Sequence, residues 1–289
     1  MPAYLAGDMF EARRPRQAGR AYRRAGAFRG SLRLCARAMA CALSLLVPAG
    51  SVWAFGFSVE PARVQLSVPP GKRRGQTLTV RNAKTDSAIH LTTSIRDIVH
   101  APDGTHDYPE PGSTAWSCAS WIRVVPEELE IPPKSTRDVR VSVEAPPDAQ
   151  GGRYAIIFFE TGPSYEEQGI GVNFRVGALV EAVIPGTAHY DATLRDVSFV
   201  SPSSIRVDLL NASNLLVRPK GPIKVFDAVG KKVRTLPFNP NLLGVLPQSL
   251  RQFSTPIEDP LPAGSYRLKV EVDYGARTLI VGERSFQIE

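Results

Sequence analysis

Residues 169–186 read GIGVNFRVGALVEAVIPG. From Val172 every second residue is apolar, through Phe174, Val176, Ala178, Val180, Ala182 and Ile184, while Asn173, Arg175, Gly177, Leu179, Glu181 and Val183 fill the positions between. A two-residue period sustained over that length describes a long β-strand with one wholly apolar face. Such a face lies against its own core or is offered to another protein. The run from Ala178 to Ile184, which leads into Pro185 and Gly186, is expected to close its own sandwich, and Val172, Phe174 and Val176 are the candidates for a partner surface.

Working outward, short alternating or apolar runs recur between Pro, Gly, Asn and Asp clusters, and no stretch keeps a helical period. That pattern predicts antiparallel sheets. Strands are expected over Phe57 to Val68, Gln76 to Asn82, Ile89 to Val99, Ser120 to Val125, Thr136 to Glu144, Tyr154 to Glu160 and Val172 to Ile184. A second series runs over Ala192 to Phe199, Ile205 to Leu210, Ile223 to Asp227, Lys232 to Leu236, Leu250 to Thr255, Tyr266 to Asp273 and Thr278 to Ile288. Seven strands in each series is an immunoglobulin-like count. The fold class is therefore all-β, two tandem immunoglobulin-like β-sandwich domains, at 55–187 and 188–289. An internal echo supports the division. LTVRN ending at Asn82 parallels VDLLN ending at Asn211, and GGRYAIIFF from Gly151 parallels AGSYRLKVEV from Ala263, placing Tyr154 and Tyr266 at the start of the sixth strand. A Tyr in that place can tie a sandwich corner through its hydroxyl.

Residues 1–54 differ from the rest. They hold nine Arg and two acids, Asp8 and Glu11, and so carry the whole formal charge of +7. The remaining residues are balanced, which removes the argument for a nucleic-acid partner. The apolar run AMACALSLLV and the following PAGSVWA, with small residues at Val52 and Ala54, have the layout of a signal peptide with a long basic n-region. The run is too short to span a membrane, which takes roughly 20 residues. Residues 1–54 are therefore expected to be cleaved on export to the periplasm. Of the three cysteines only Cys118 follows that region, so its fold must rest on a core rather than on disulfides.

Chemistry is sparse. His100, Asp103, His106 and Asp107 fall together in HAPDGTHD, but the Pro-Asp-Gly centre reads as a surface hairpin and no further His or Cys completes a metal site. GKRRG at 71–75 reads as a solvated turn, and in the acidic cluster Glu127, Glu128 and Glu130 sequence does not distinguish paired catalytic carboxylates from a charged strand edge. Cys118, in AWSCASW, has no cation beside it in sequence to activate a thiolate and reads as a packed core residue. No nucleophile elbow, zinc-protease or phosphate-loop motif is present. No catalytic residue, metal site or cofactor is expected, and the protein is not read as an enzyme.

PARVQL at 61–66, ASWIRVVPEELEIPPKS at 119–135, LNASNLLVRP at 210–219 and VDYG at 272–275 together resemble the periplasmic chaperones of pilus (fimbrial) subunits, with this chain a divergent member. The resemblance covers about 55–289. It implies two immunoglobulin-like domains set at an angle and a partner that is a pilus or envelope protein subunit, held through an extended segment. An outer-membrane usher is left open as a second partner. It also implies that Arg63 grips the subunit's terminal carboxylate in the cleft, where a charge-assisted fork suits the role. The family's companion Lys position holds Val180, with Arg175 the nearest cation in the strand. Asp273 matches an interdomain Asp, although Arg153 and Ile184 stand where its Glu and Arg partners would be. The implied mechanism is donor-strand addition, in which Val172, Phe174 and Val176 lend apolar side chains to a subunit lacking a strand. Burying one Phe and two Val offers on the order of 5 kcal/mol. The competing reading is a structural or adhesive envelope protein whose tandem sandwiches bind a wall or surface polymer.

Overall fold

The computed structural model describes residues 56–162 and 173–289; the expected leader, 1–54, and Val172 lie outside the described residues. The first series forms β1 (Phe57–Glu60), β2 (Arg63–Ser67), β3 (Arg73–Asn82), β4 (Ile89–Arg96), β5 (Val99–His100), β6 (His106–Asp107), β7 (Ile122–Val125), β8 (Glu128–Ile131), β9 (Thr136–Glu144), β10 (Gly152–Thr161) and β11 (Arg175–Val183). They assemble as a sheet β1-β3-β9-β7 facing a sheet β2-β11-β10-β4-β8, with the β5-β6 hairpin apart. Alternation delivers Leu78 and Val80 of β3 and Val139, Val141 and Val143 of β9 from one sheet. Ala155, Ile157 and Phe159 of β10 and Ala178, Val180 and Ala182 of β11 come from the other, and all share one core.

The second series forms β12 (Ala192–Ser201), β13 (Ser204–Asn211), β14 (Gly221–Asp227), β15 (Lys232–Phe238), β16 (Ser249–Pro256), β17 (Gly264–Val272) and β18 (Ile280–Ile288). Its sheets run β12-β13-β16 and β15-β14-β17-β18 and enclose a separate core around Val207, Leu209, Ile223, Val225, Leu268 and Val270. The chain is thus two tandem β-sandwiches. No helix among the described residues is long and apolar enough to cross a membrane.

Three expectations are corrected. The strand expected over Phe57 to Val68 is two strands in opposite sheets, β1 pairing antiparallel with β3 and β2 pairing parallel with β11. The break at Pro61 is visible in the burial: Phe57 and Val59 point inward on odd positions, Val64 and Val68 on even ones. A one-residue slip in a two-residue period exchanges the faces, and here it accompanies the change of sheet. Residues Glu128–Ile131 form a strand that two apolar side chains were too few to announce. The strand expected from Ser120 instead begins with a 3-10 turn at Ala119–Trp121. HAPDGTHD is a hairpin, with His100 paired to His106.

Candidate functional site

The first half of β11 is an open strand edge. Against β10, the Thr161 N–H donates to the Phe174 carbonyl at 3.0 Å and the Phe174 N–H donates to Thr161 Oγ1 at 3.0 Å. Antiparallel pairing alternates, so the backbone groups of Arg175, Gly177 and Leu179 turn to the other side of the strand. There β2 takes them up only from Leu179, whose N–H donates to the Ala62 carbonyl at 3.0 Å; the register then runs from Leu179 opposite Arg63 to Val183 opposite Ser67. Before Leu179 no strand pairs on that side among the described residues. Ala178, Val180, Ala182 and Ile184 are fully buried, whereas Phe174 and Val176, in the same row, are half-buried at the margin of the core. The apolar row therefore runs out of the sandwich onto its unpaired edge. On the opposite face the side chains of Ile156 and Phe158 lie over Gly177, where a Cβ would stand 2.6 Å from Ile156 Cδ1. Arg175 sits 4.3 Å above the centroid of the Phe158 ring and pairs with Glu160 at 2.9 Å.

Where β2 joins, a carboxylate collects cations from both sandwiches. Glu181 of β11 is 4% exposed. Its Oε1 forms an ion pair with Arg63 Nε at 3.2 Å and accepts from Arg218 Nη2, and its Oε2 accepts from Gln65 Nε2 at 3.0 Å. Arg63 comes from β2, and Arg218 from the segment that follows β13 in the second sandwich. Two guanidinium groups against one carboxylate leave a net positive charge, and the Arg63 side chain is half exposed. Sequence reading missed Glu181. Its one signal was an acid in a strand otherwise heading into a core.

Further contacts tie the junction together. The Tyr154 hydroxyl accepts the Leu216 N–H at 2.6 Å, and the Gly152 N–H donates to the Asn214 carbonyl at 2.9 Å. Gly151 adopts φ +69°, and a Cβ there would strike Asn214, so both the turn and the close approach require glycine. Ile98 and Tyr154 pack with Leu246, joined by Trp116, Leu179 and Leu216. The β5-β6 hairpin also reaches across, its Pro102 carbonyl accepting the Gln252 N–H at 2.7 Å. Its base is anchored by buried Asp97, which accepts from the Thr114 N–H and hydroxyl and from the Ser117 hydroxyl. Burial, His106 and Arg251 lower the His100 pKa to about 4, so its imidazole stays neutral.

The expected residues fall in three places. Arg63 meets Glu181, while Phe174 and Val176 stand further along β11. Asp273 lies in the second sandwich, where it accepts the Gly275 N–H at 3.0 Å and faces Lys220 at 3.9 Å. Among the described residues the ion pair that crosses the junction is Glu181–Arg218. Cys118 is fully buried, and burial together with Asp97 pushes its thiol pKa up, which leaves it a packing residue. Of GKRRG, expected as a turn, Arg73, Arg74 and Gly75 belong to β3, where Arg73 pairs with Glu144 across the strands.

No family model matches the sequence, and no curated protein sequence matches it. Solved structures do. The class 5 fimbriae chaperone CfaA is 12% identical, covering 79% of this chain and 98% of its own with a TM-score of 0.45. The Pseudomonas aeruginosa CupB2 chaperone is 14% identical, covering 80% of this chain and all of its own, with a TM-score of 0.39. The Salmonella enterica SafA pilin in complex with the SafB chaperone matches at 13% identity over 81% of this chain and 97% of that chain, with a TM-score of 0.39. By these matches the chain is similar, at a divergent level of identity, to the periplasmic chaperones of fimbrial subunits.

Proposed function

We propose that the protein is a periplasmic chaperone that holds a pilus or envelope subunit by strand addition along the first half of β11. In this reading 1–54 is the export leader, 55–187 is the client-binding domain and 188–289 braces it. The observation that carries the reading is the open edge. The backbone groups of Arg175 and Gly177 have no strand partner among the described residues, beside a row of half-buried apolar side chains. An added strand would take those groups into a ladder and cover Phe174 and Val176, the ladder supplying affinity and the side chains selectivity. Arg63, half exposed in a cluster of net positive charge, suits the terminal carboxylate of such a client. Val172 would extend the same row. Asp273 is assigned no contact with the client.

The test is co-purification from the periplasm with wild type, Phe174→Asp and Arg63→Ala, followed by mass spectrometry. Placing a carboxylate where an apolar group is to be covered forfeits about 1.5 to 3 kcal/mol of burial, hence a client yield at least about tenfold lower. Arg63→Ala should weaken retention without touching the apolar row. A client retained by both variants as well as by the wild type would sink the proposal. Specific retention of purified surface polymer, with no protein client, would favour the adhesive reading instead.

A further inference from the structure

The second sandwich carries a groove that the strand-addition reading does not use. It opens between β15 and β16, each of which ends its sheet, and has a volume of about 680 Å³. Leu236, Leu243, Phe253 and Ile257 supply apolar lining, while Glu258 and Asp259 of this sandwich and Asp103 of the β5-β6 hairpin also line it. Arg251 lines the same groove and is only 8% exposed. Its Nη1 donates to the Gly244 carbonyl at 2.8 Å, and its guanidinium carbon lies 5.7 Å from the centroid of the Phe253 ring. No carboxylate among the described residues comes within ion-pair distance of it, whereas Arg234, also lining the groove, already pairs with Asp259 at 3.4 Å. Arginine does not shed its proton to escape burial, so an unpaired guanidinium here has a desolvation cost that a counter-ion would offset. The neighbouring charge is also felt by His100, whose imidazole Arg251 helps to keep neutral.

We propose that this groove binds a small monocarboxylate with an apolar tail, its carboxylate on Arg251 and its tail along Leu236, Phe253 and Ile257. The volume lies within the range of small-molecule sites. One guanidinium, with the carboxylates of Asp103, Glu258 and Asp259 elsewhere along the lining, suits a planar monoanion; a phosphate dianion would need further donors and would meet those carboxylates. The wall is built in advance. Asn239, 4% exposed, donates from Nδ2 to the Pro219 and Leu243 carbonyls at 2.7 and 3.0 Å and accepts the Leu243 N–H at 2.9 Å. A preformed wall spares the ligand the cost of ordering it.

Calorimetric titration of the purified protein with octanoate, and with 1-octanol as its uncharged counterpart, tests the assignment. Octanoate should bind saturably at one site and 1-octanol at least about tenfold more weakly, as expected for a charged hydrogen bond. Arg251→Met should weaken octanoate at least about tenfold and leave 1-octanol unchanged. Equal binding of the two probes, unchanged octanoate affinity in Arg251→Met, or no saturation in the millimolar range would each overturn the proposal. If Arg251→Met loses the cooperative melt of the wild type, Leu243→Glu decides. Leu243 is 44% exposed, so the fold tolerates the change, and an acid at the rim must weaken octanoate for the assignment to stand.

Discussion

Asn82 and Asn211 hold the same post in the two sandwiches, whereas Tyr154 and Tyr266 part company. Each Asn ends its strand buried. Asn82 donates from Nδ2 to the Ser87, Ile131 and Pro132 carbonyls and accepts the Lys84 N–H. Asn211 donates to the Leu215, Val245 and Leu246 carbonyls and accepts the Ser213 N–H. The two tyrosines also occupy equivalent places, near the start of β10 and β17. Tyr266 donates its hydroxyl to the Pro262 carbonyl at 3.0 Å and closes its own corner. Tyr154 accepts the Leu216 N–H and so ties one sandwich to the other. One local signal thus serves a fold repeated twice, and the other is diverted, in the first sandwich only, to the junction beside the candidate site.

The largest test of this comparison is removal of each Asn. Asn82→Ala and Asn211→Ala each strand three carbonyls and one N–H, at about 1 to 3 kcal/mol for a buried group left unsatisfied. Each is expected to cost about 3 kcal/mol or more in urea unfolding, and a cost below about 1 kcal/mol for either would break the equivalence. Next come the tyrosines. Tyr154→Phe should cost about 1 to 2 kcal/mol and couple to Arg218→Ala by about 0.5 kcal/mol or more in a double-mutant cycle. Tyr266→Phe should cost about 1 kcal/mol with no such coupling, and equal coupling in both would erase the distinction.

The smallest effect is a pH slope at the hairpin that reaches across the junction. The folded state holds His100 at a pKa of about 4 against an ordinary 6.5. Between those values the unfolded chain takes up a proton that the folded chain refuses, so stability is complete above about pH 6.5 and declines as pH falls toward 4. His100→Gln should flatten that decline in thermal melts across the window. Identical slopes for the variant and the wild type would remove His100 from the junction's energetics.

Much of the fold could be read from residue order alone. The period of two in β3, β9 and β11 predicts which side chains reach the core, because neighbouring residues on a strand must face opposite ways. HAPDGTHD reads as a hairpin from its Pro-Asp-Gly centre, and the paired Asn and Tyr mark the repeat. The division of β1 from β2 was also present, as a slip of the apolar period at Pro61, but two hydrophobic runs in a row look like one strand until their partners are known. Strand β8 escaped because Leu129 and Ile131 are too few to set a period. Of the candidate site, Phe174 and Val176 could be singled out by alternation and Arg63 only through a resemblance. Glu181 could not be found, since its partners Arg63 and Arg218 lie 118 residues before it and 37 after it.

The sequence by itself determined the all-β class, the two-fold repeat, the inward faces of the strands and the confinement of net charge to residues 1–54. These follow from local periodicity, turn chemistry and composition, which need no knowledge of distant contacts. Only the tertiary structure decided where β2 stops covering β11, which acid gathers the arginines of both sandwiches, which Tyr leaves its own corner and that Arg251 is buried without a carboxylate. Each of these is a relation between residues far apart in the chain, set by which strand becomes whose neighbour, and nothing in the local pattern of either partner encodes it.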